Sequence, residues 1–308
     1  MTGASLSGGQ AAFFAAATFV YLTLLAHAIL VRGPRIGLGF FVYAGVLAFA
    51  RDLFFISPLK GRPPYEFLVS LRVLGVPPLA FLGWTITAYL AWCVTEALLV
   101  PWPRTSERLF VMLGCSYVVG AIVSFAVEPT GVSLGLWRWV RFEPSSVSGL
   151  WSVLSTYSVI ASWWAVFTVQ ILGSYWFFEC SEHRRSPLRF LAIAFLLGPR
   201  ALKFLGRSRY AWFYPLAVIA LAIGVRTRLD WPVRPREFRL AYAIPMGVGF
   251  VMAAALAAID LVASGRSDLA ASKAPLVLAL GVAISMSLAR RRVSSRPALA
   301  GARAWTSS

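Results

Sequence analysis

LGVPPLAFLGWTITAYLAWCVTEALLV, residues 74 to 100, carries a single charged side chain, Glu96. About 20 apolar residues wound as a helix cross the hydrocarbon core of a bilayer, and this run is long enough to do so. The pair Pro77-Pro78 stands where such a helix would begin. A proline there costs nothing, because the first N–H groups of a helix have no partner inside it. The stretch reads as a transmembrane helix.

Further apolar runs of the same kind occupy residues 11 to 31, 36 to 56, 109 to 127, 149 to 178, 240 to 263 and 274 to 289. Residues 189 to 206, with Arg200 and Lys203, and residues 210 to 225 form an awkward region: two tilted crossings, or one interfacial helix and one crossing. Counting Lys and Arg between spans favours two crossings and a cytoplasmic C-terminus. Pro129 is expected to close the fourth span. The class is therefore all-α, a polytopic integral membrane helical bundle of seven to nine transmembrane helices, with eight or nine expected. Residues 1 to 289 form one domain, and the basic, Ser/Ala-rich tail 290 to 308 is expected to be disordered.

Composition agrees. Of 308 residues, 59% are hydrophobic and 13% charged, against about 25% charged in ordinary globular domains. The net charge of +17 is spread beside apolar runs rather than along one face, which argues for anionic lipid headgroups and against nucleic acid as the partner. Cys93, Cys115 and Cys180 are far apart and form no CxxC pair, so they read as packing residues. Ala26-His27-Ala28 imitates a signal-peptide cleavage site. The first ten residues lack the basic region such a peptide needs, however, so the first span is expected to stay uncleaved. The expected location is the bacterial cytoplasmic membrane.

Charged groups inside or at the ends of spans are expensive and mark functional sites by default. Successive spans alternate direction, so Asp52, Glu66, Glu128 and Glu143 fall at one side of the membrane. Tyr65, Trp84, Ser124, Trp137 and Trp139 share that side. Each also has a plainer reading. Asp52 follows Arg51 and could compensate its charge, while Glu66 could pair with Lys60, Arg62 or Arg72 in solvent. Trp137 and Trp139 could be interfacial belt residues. Glu128 ends a span, where a carboxylate opposes the helix dipole, so its placement asks for a use. Glu96 and His27 lie toward the other side and read as packing or interfacial residues.

Absent motifs narrow the chemistry. Two histidines cannot furnish a histidine-rich di-iron site, and there is no GxxxxGK, HExxH or Asp-rich diphosphate box. No metal and no other cofactor is expected. A few carboxyl groups with aromatics near one membrane face suit proton transfer to or from an apolar substrate.

YEFLVSLRVLGVPPLAFLGW (65 to 84) resembles the Tyr-x-Tyr, Gly-Val-Pro and Trp stretch of the membrane carotenoid biosynthesis family that includes the bisanhydrobacterioruberin hydratases and gamma-carotene 1'-hydroxylases. SFAVEPTGVSLGLWRW (124 to 139) is similar to that family's Asp-x-x-x-Asp-Pro segment followed by Gly-x-Trp-x-Trp, ARDLFFI (50 to 56) to its upstream acidic segment, and PSSVSGLW (144 to 151) loosely to its next block. The likeness covers roughly residues 42 to 178. Ser124 stands in place of the first Asp, Glu128 in place of the second, and Phe67 in place of a Tyr.

The resemblance implies hydration of a terminal carotenoid double bond to a tertiary alcohol, with an acyclic or monocyclic carotenoid as substrate. In that scheme Glu128 is the acid, Asp52 and Glu66 orient water, and Tyr65, Trp84, Ser124, Trp137 and Trp139 bind the substrate and stabilise a tertiary cation on aromatic faces. A cyclase would share the first protonation. A pigment- or lipid-binding subunit and a transporter are the non-enzymatic alternatives.

Overall fold

The computed structural model describes residues 6–56, 64–99, 106–140, 148–180 and 238–289. Glu143, the region 189 to 225 and the tail from 290 lie outside the described residues. Eight α-helices are described: α1 (Gly8–Arg32), α2 (Pro34–Ile56), α3 (Pro78–Leu99), α4 (Ser106–Ser133), α5 (Leu150–Cys180), α6 (Phe238–Ile259), α7 (Ser267–Ala271) and α8 (Ala274–Ala289). A π-helical turn, Asp260–Ser264, continues α6. Two three-residue strands, β1 (Tyr65–Phe67) and β2 (Trp137–Trp139), complete the set. Among the described residues, seven helical segments are long and apolar enough to cross a membrane, the seventh made of α7 and α8 together. The protein is a helical membrane bundle.

Local chemistry sets the boundaries. Ser7 and Gln10 form a reciprocal capping box at the start of α1, satisfying two of the N–H groups a helix start leaves unbonded. Gly33 turns the chain at φ 83°, and α2 then doubles back so closely that a Cβ on Gly37 would lie 2.6 Å from the backbone carbonyl of Ala28. The most buried span is α3, which packs against α1, α2, α4, α5, α6 and α8. Large apolar side chains such as Leu30, Val42, Val46, Val159 and Val251 remain exposed on the outer helices, as lipid-facing surfaces require.

Pro129 does not close its span. The helix α4 runs one further turn, to Ser133, and ends on Gly135 in the left-handed region at φ 64°. Proline has no N–H to give to the carbonyl four residues back, on Phe125. The Ser272 hydroxyl, from the turn between α7 and α8, lies 3.0 Å from that carbonyl and shares its proton between it and the Leu269 carbonyl at 2.6 Å. An external donor thus offsets the cost of a proline inside the helix. Glu128 consequently sits inside α4, more than a turn from its end.

Two further ion pairs are buried at opposite ends of the bundle. Arg32 and Glu96 meet at 2.8 Å, with Trp92 and Tyr242 donating to the same carboxylate and the guanidinium 4.0 Å over the Trp92 ring. This clamp binds α1, α3 and α6 at the end of the bundle remote from the hairpin. Lys273 and Asp260 pair in the last helical turn region, where Thr130 of α4 also donates to Asp260.

Candidate functional site

The segments YEF and WRW pair antiparallel, with Tyr65 opposite Trp139, Glu66 opposite Arg138 and Phe67 opposite Trp137. Strand side chains alternate between faces, so one face of the hairpin holds four aromatic rings and the other holds Glu66 and Arg138. The aromatic face closes one end of the bundle. Trp137 is pressed onto Gly131, where any Cβ would overlap its ring. The hairpin is also tied to α1, because Gln10 donates to the carbonyl of Leu134 in the turn before β2 at 3.0 Å.

Beneath the hairpin lies a cavity of about 90 Å³ walled by α1, α2, α3, α4, α5, α6 and both strands. Two carboxyl groups lie on its wall, Asp52 and Glu128, only 1% and 4% exposed. Asp52 accepts from the Tyr65 hydroxyl at 2.5 Å and from Arg51 at 2.7 Å on Oδ1, and from the Trp84 indole at 3.3 Å on Oδ2. Glu128 accepts from three indoles: Trp137 at 2.7 Å and Trp139 at 3.2 Å on Oε2, and Trp164 at 2.5 Å on Oε1.

No protein-family model, curated protein or solved structure matches the chain.

The Arg51 guanidinium is sandwiched among rings, 4.4 Å from the centroids of both Trp84 and Phe167 and 5.0 Å from that of Phe55. Such faces attract a cation most when water is excluded. Outside the spans, burial first and the Asp52 carboxylate next push the Tyr65 phenol well above its ordinary range. Tyr65 thus remains an O–H donor toward Asp52 at any workable pH. Apart from these groups the walls are almost wholly aromatic or aliphatic, including Phe13, Val123, Trp163 and Leu256.

Of the residues singled out from sequence, Asp52, Glu128, Tyr65, Trp84, Trp137 and Trp139 line this one cavity. Trp137 and Trp139 turn inward and bond an acid, so they are not interfacial belt residues. Glu66 does not join them. It faces the other way and pairs with Arg138 at 2.7 Å, the two side chains 40% and 65% exposed. It is therefore in no position to orient water in the cavity, because period-two alternation in the strand puts it on the face opposite Tyr65. Ser124 is fully buried but is not part of the cavity wall, and its hydroxyl finds no hydrogen-bond partner.

Arg51 and Trp164 are the members of the site that sequence reasoning missed. A signal for Trp164 does exist, since Trp163-Trp164 stands mid-span, whereas tryptophan in membranes prefers the interface. Among the described residues, no group of three or more His, Cys, Asp or Glu is placed to hold a metal ion.

Proposed function

We propose that this chain is a membrane enzyme that hydrates a terminal double bond of a carotenoid by acid catalysis, in the manner of the carotenoid biosynthesis family its sequence resembles. The observation that carries the reading is the pair of buried carboxyl groups, Asp52 and Glu128, on the wall of one aromatic cavity. An alkene is inert until protonated, and the tertiary cation that results needs a water-poor, electron-rich enclosure. Glu128 gives the proton to the less substituted alkene carbon. A water molecule held at Asp52 adds its oxygen to the cation, and Asp52 takes the released proton. Transfer of that proton back to Glu128 resets the site, so alkene plus water gives tertiary alcohol.

The cavity volume fits an end group rather than a whole polyene, whose remainder would extend into lipid. The charge bias of the loops supports a cytoplasmic C-terminus, and the proposed setting is the bacterial cytoplasmic membrane. The scarcity of polar groups on the cavity wall favours one rival, a cyclase in which a neighbouring double bond rather than water traps the cation.

Expression in a host that accumulates acyclic carotenoids, with mass analysis of the pigments, tests the reading. Hydration adds one water to the mass and cyclisation adds nothing. Unchanged pigments from the unaltered chain overturn the proposal, and identical new products from Glu128→Gln remove Glu128 from the mechanism.

A further inference from the structure

The two acids are bonded alike in number and unlike in charge. A carboxylate has about four acceptor positions, two on each oxygen. On Glu128, Trp137 and Trp139 fill Oε2 while Trp164 takes one position of Oε1. On Asp52, Arg51 and Tyr65 fill Oδ1 while Trp84 takes one position of Oδ2. Each acid keeps one open position, able either to hold a proton or to accept one.

The donors differ in charge. A guanidinium keeps its proton at any physiological pH, so the Arg51 charge is permanent, and it contacts Asp52 directly at 2.7 Å. Among the described residues Glu128 has no ion-pair partner, and its three donors are neutral indoles. The charge of Arg51 reaches Glu128 only at longer range. Other titratable groups near the pair are the phenols of Tyr65, from the hairpin, and Tyr157, from α5, and the Asp260–Lys273 ion pair, tied to α4 through Thr130 and self-compensating in charge. A buried cation balances one buried carboxylate, and a second would be left uncompensated at considerable cost.

We propose that Arg51 is a positioning residue that assigns the two acids their roles. It holds Asp52 as the carboxylate, and Glu128 is left as the carboxyl group that carries the transferable proton, on Oε1. The catalytic consequence rests on the hydration reading; the placement of the proton does not. The aromatic sandwich of Trp84, Phe167 and Phe55 fixes the guanidinium in place, and Trp84 also holds the Asp52 oxygen that Arg51 leaves open.

The test is infrared spectroscopy of the full-length chain in lipid nanodiscs at neutral pH, in light and heavy water, alongside product analysis. The expected spectrum contains a protonated-carboxyl C=O band that Glu128→Gln removes and Asp52→Asn leaves. Arg51→Lys keeps the charge, so the band stays with Glu128, although loss of the stacked planar guanidinium lowers product formation. Arg51→Gln adds a second protonated carboxyl, lost again when Asp52→Asn is combined with it, and lowers product formation by about a hundredfold or more. A band removed by Asp52→Asn instead of Glu128→Gln overturns the proposal, as does an Arg51→Gln chain whose spectrum and product match the unaltered protein. Should Arg51→Gln fail to fold, the two acid variants decide alone. If the infrared pattern holds but no chain makes hydrated product, the hydration reading fails while the assignment of the proton stands.

Discussion

The indole rings of Trp84 and Trp164 stack with centroids 4.2 Å apart, and each gives its N–H to a different acid, Trp84 to Asp52 and Trp164 to Glu128. The stack therefore fixes the two carboxyl groups relative to one another. It also joins α3 to α5 through the middle of the site, so a shift of either helix moves both donors together.

Trp164→Phe keeps the stacked shape and removes the donor to Oε1. Glu128 becomes a carboxylate as it gives up its proton, and a hydrogen bond to that charged acceptor contributes about 1.5–3 kcal/mol, so product formation is expected to fall about 10- to 100-fold. Thermal unfolding in detergent should change little. Unaltered turnover in quantified pigment extracts would show that Trp164 serves packing alone.

Glu66→Gln removes an exposed partner of Arg138. Exposed pairs contribute about 0–1 kcal/mol, and the side chain lies outside the cavity, so pigment products and melting temperature should both stay at the unaltered values. A loss of product beyond about tenfold would return Glu66 to the site.

How far the sequence discloses this arrangement differs residue by residue. The spans can be read from it because bilayer thickness imposes a length on each run, a constraint local to the run. The gathering of Asp52, Tyr65, Trp84 and Glu128 at one end can also be read, because alternating direction follows from counting spans. The facing of Glu66 is within reach as well: YEF and WRW share an aromatic–charged–aromatic order, and pairing them puts both charges on one face. The mid-span place of Trp164 is a signal, but its partner is out of reach, since its N–H finds Glu128 only through the rotation of α5 against α4. The continuation of α4 through Pro129 depends on Ser272, far along the chain, and no local pattern announces it.

Gly131→Ala would put a methyl group into the Trp137 ring. Overpacking of this kind costs about 1–3 kcal/mol, and the ring can give way only by lifting the hairpin. The expected result is a lower melting temperature together with altered tryptophan emission and reduced product. Unchanged emission would show that the hairpin absorbs the methyl group elsewhere.

Arg32→Met strands the buried Glu96 carboxylate and should destabilise the bundle by about 3–5 kcal/mol. Arg32→Met with Glu96→Met replaces both charges by apolar side chains and should recover most of that loss. Denaturant titrations of the single and double variants give the comparison. Equal instability in both would mean that the aromatic partners Trp92 and Tyr242, not the charges, hold that end together.

Ser272→Ala leaves the Phe125 carbonyl without its donor and is expected to cost about 1 kcal/mol. Pro129→Ala restores an N–H within α4, so in that background the Ser272→Ala cost should shrink. The coupling between the two substitutions is read from a double-mutant cycle.

That last bond also has a consequence for biogenesis. Ser272 lies 147 residues beyond Phe125 in the chain, so α4 emerges from synthesis with a backbone acceptor whose partner has not yet been made. The three indoles that hold Glu128 arrive within 36 residues of it, long before. The site's polar cradle is thus translated early, while the helix that carries it is completed only when the last helical hairpin enters the membrane. A ribosome stalled before codon 272 would hold a chain with its acid in place and its helix unfinished.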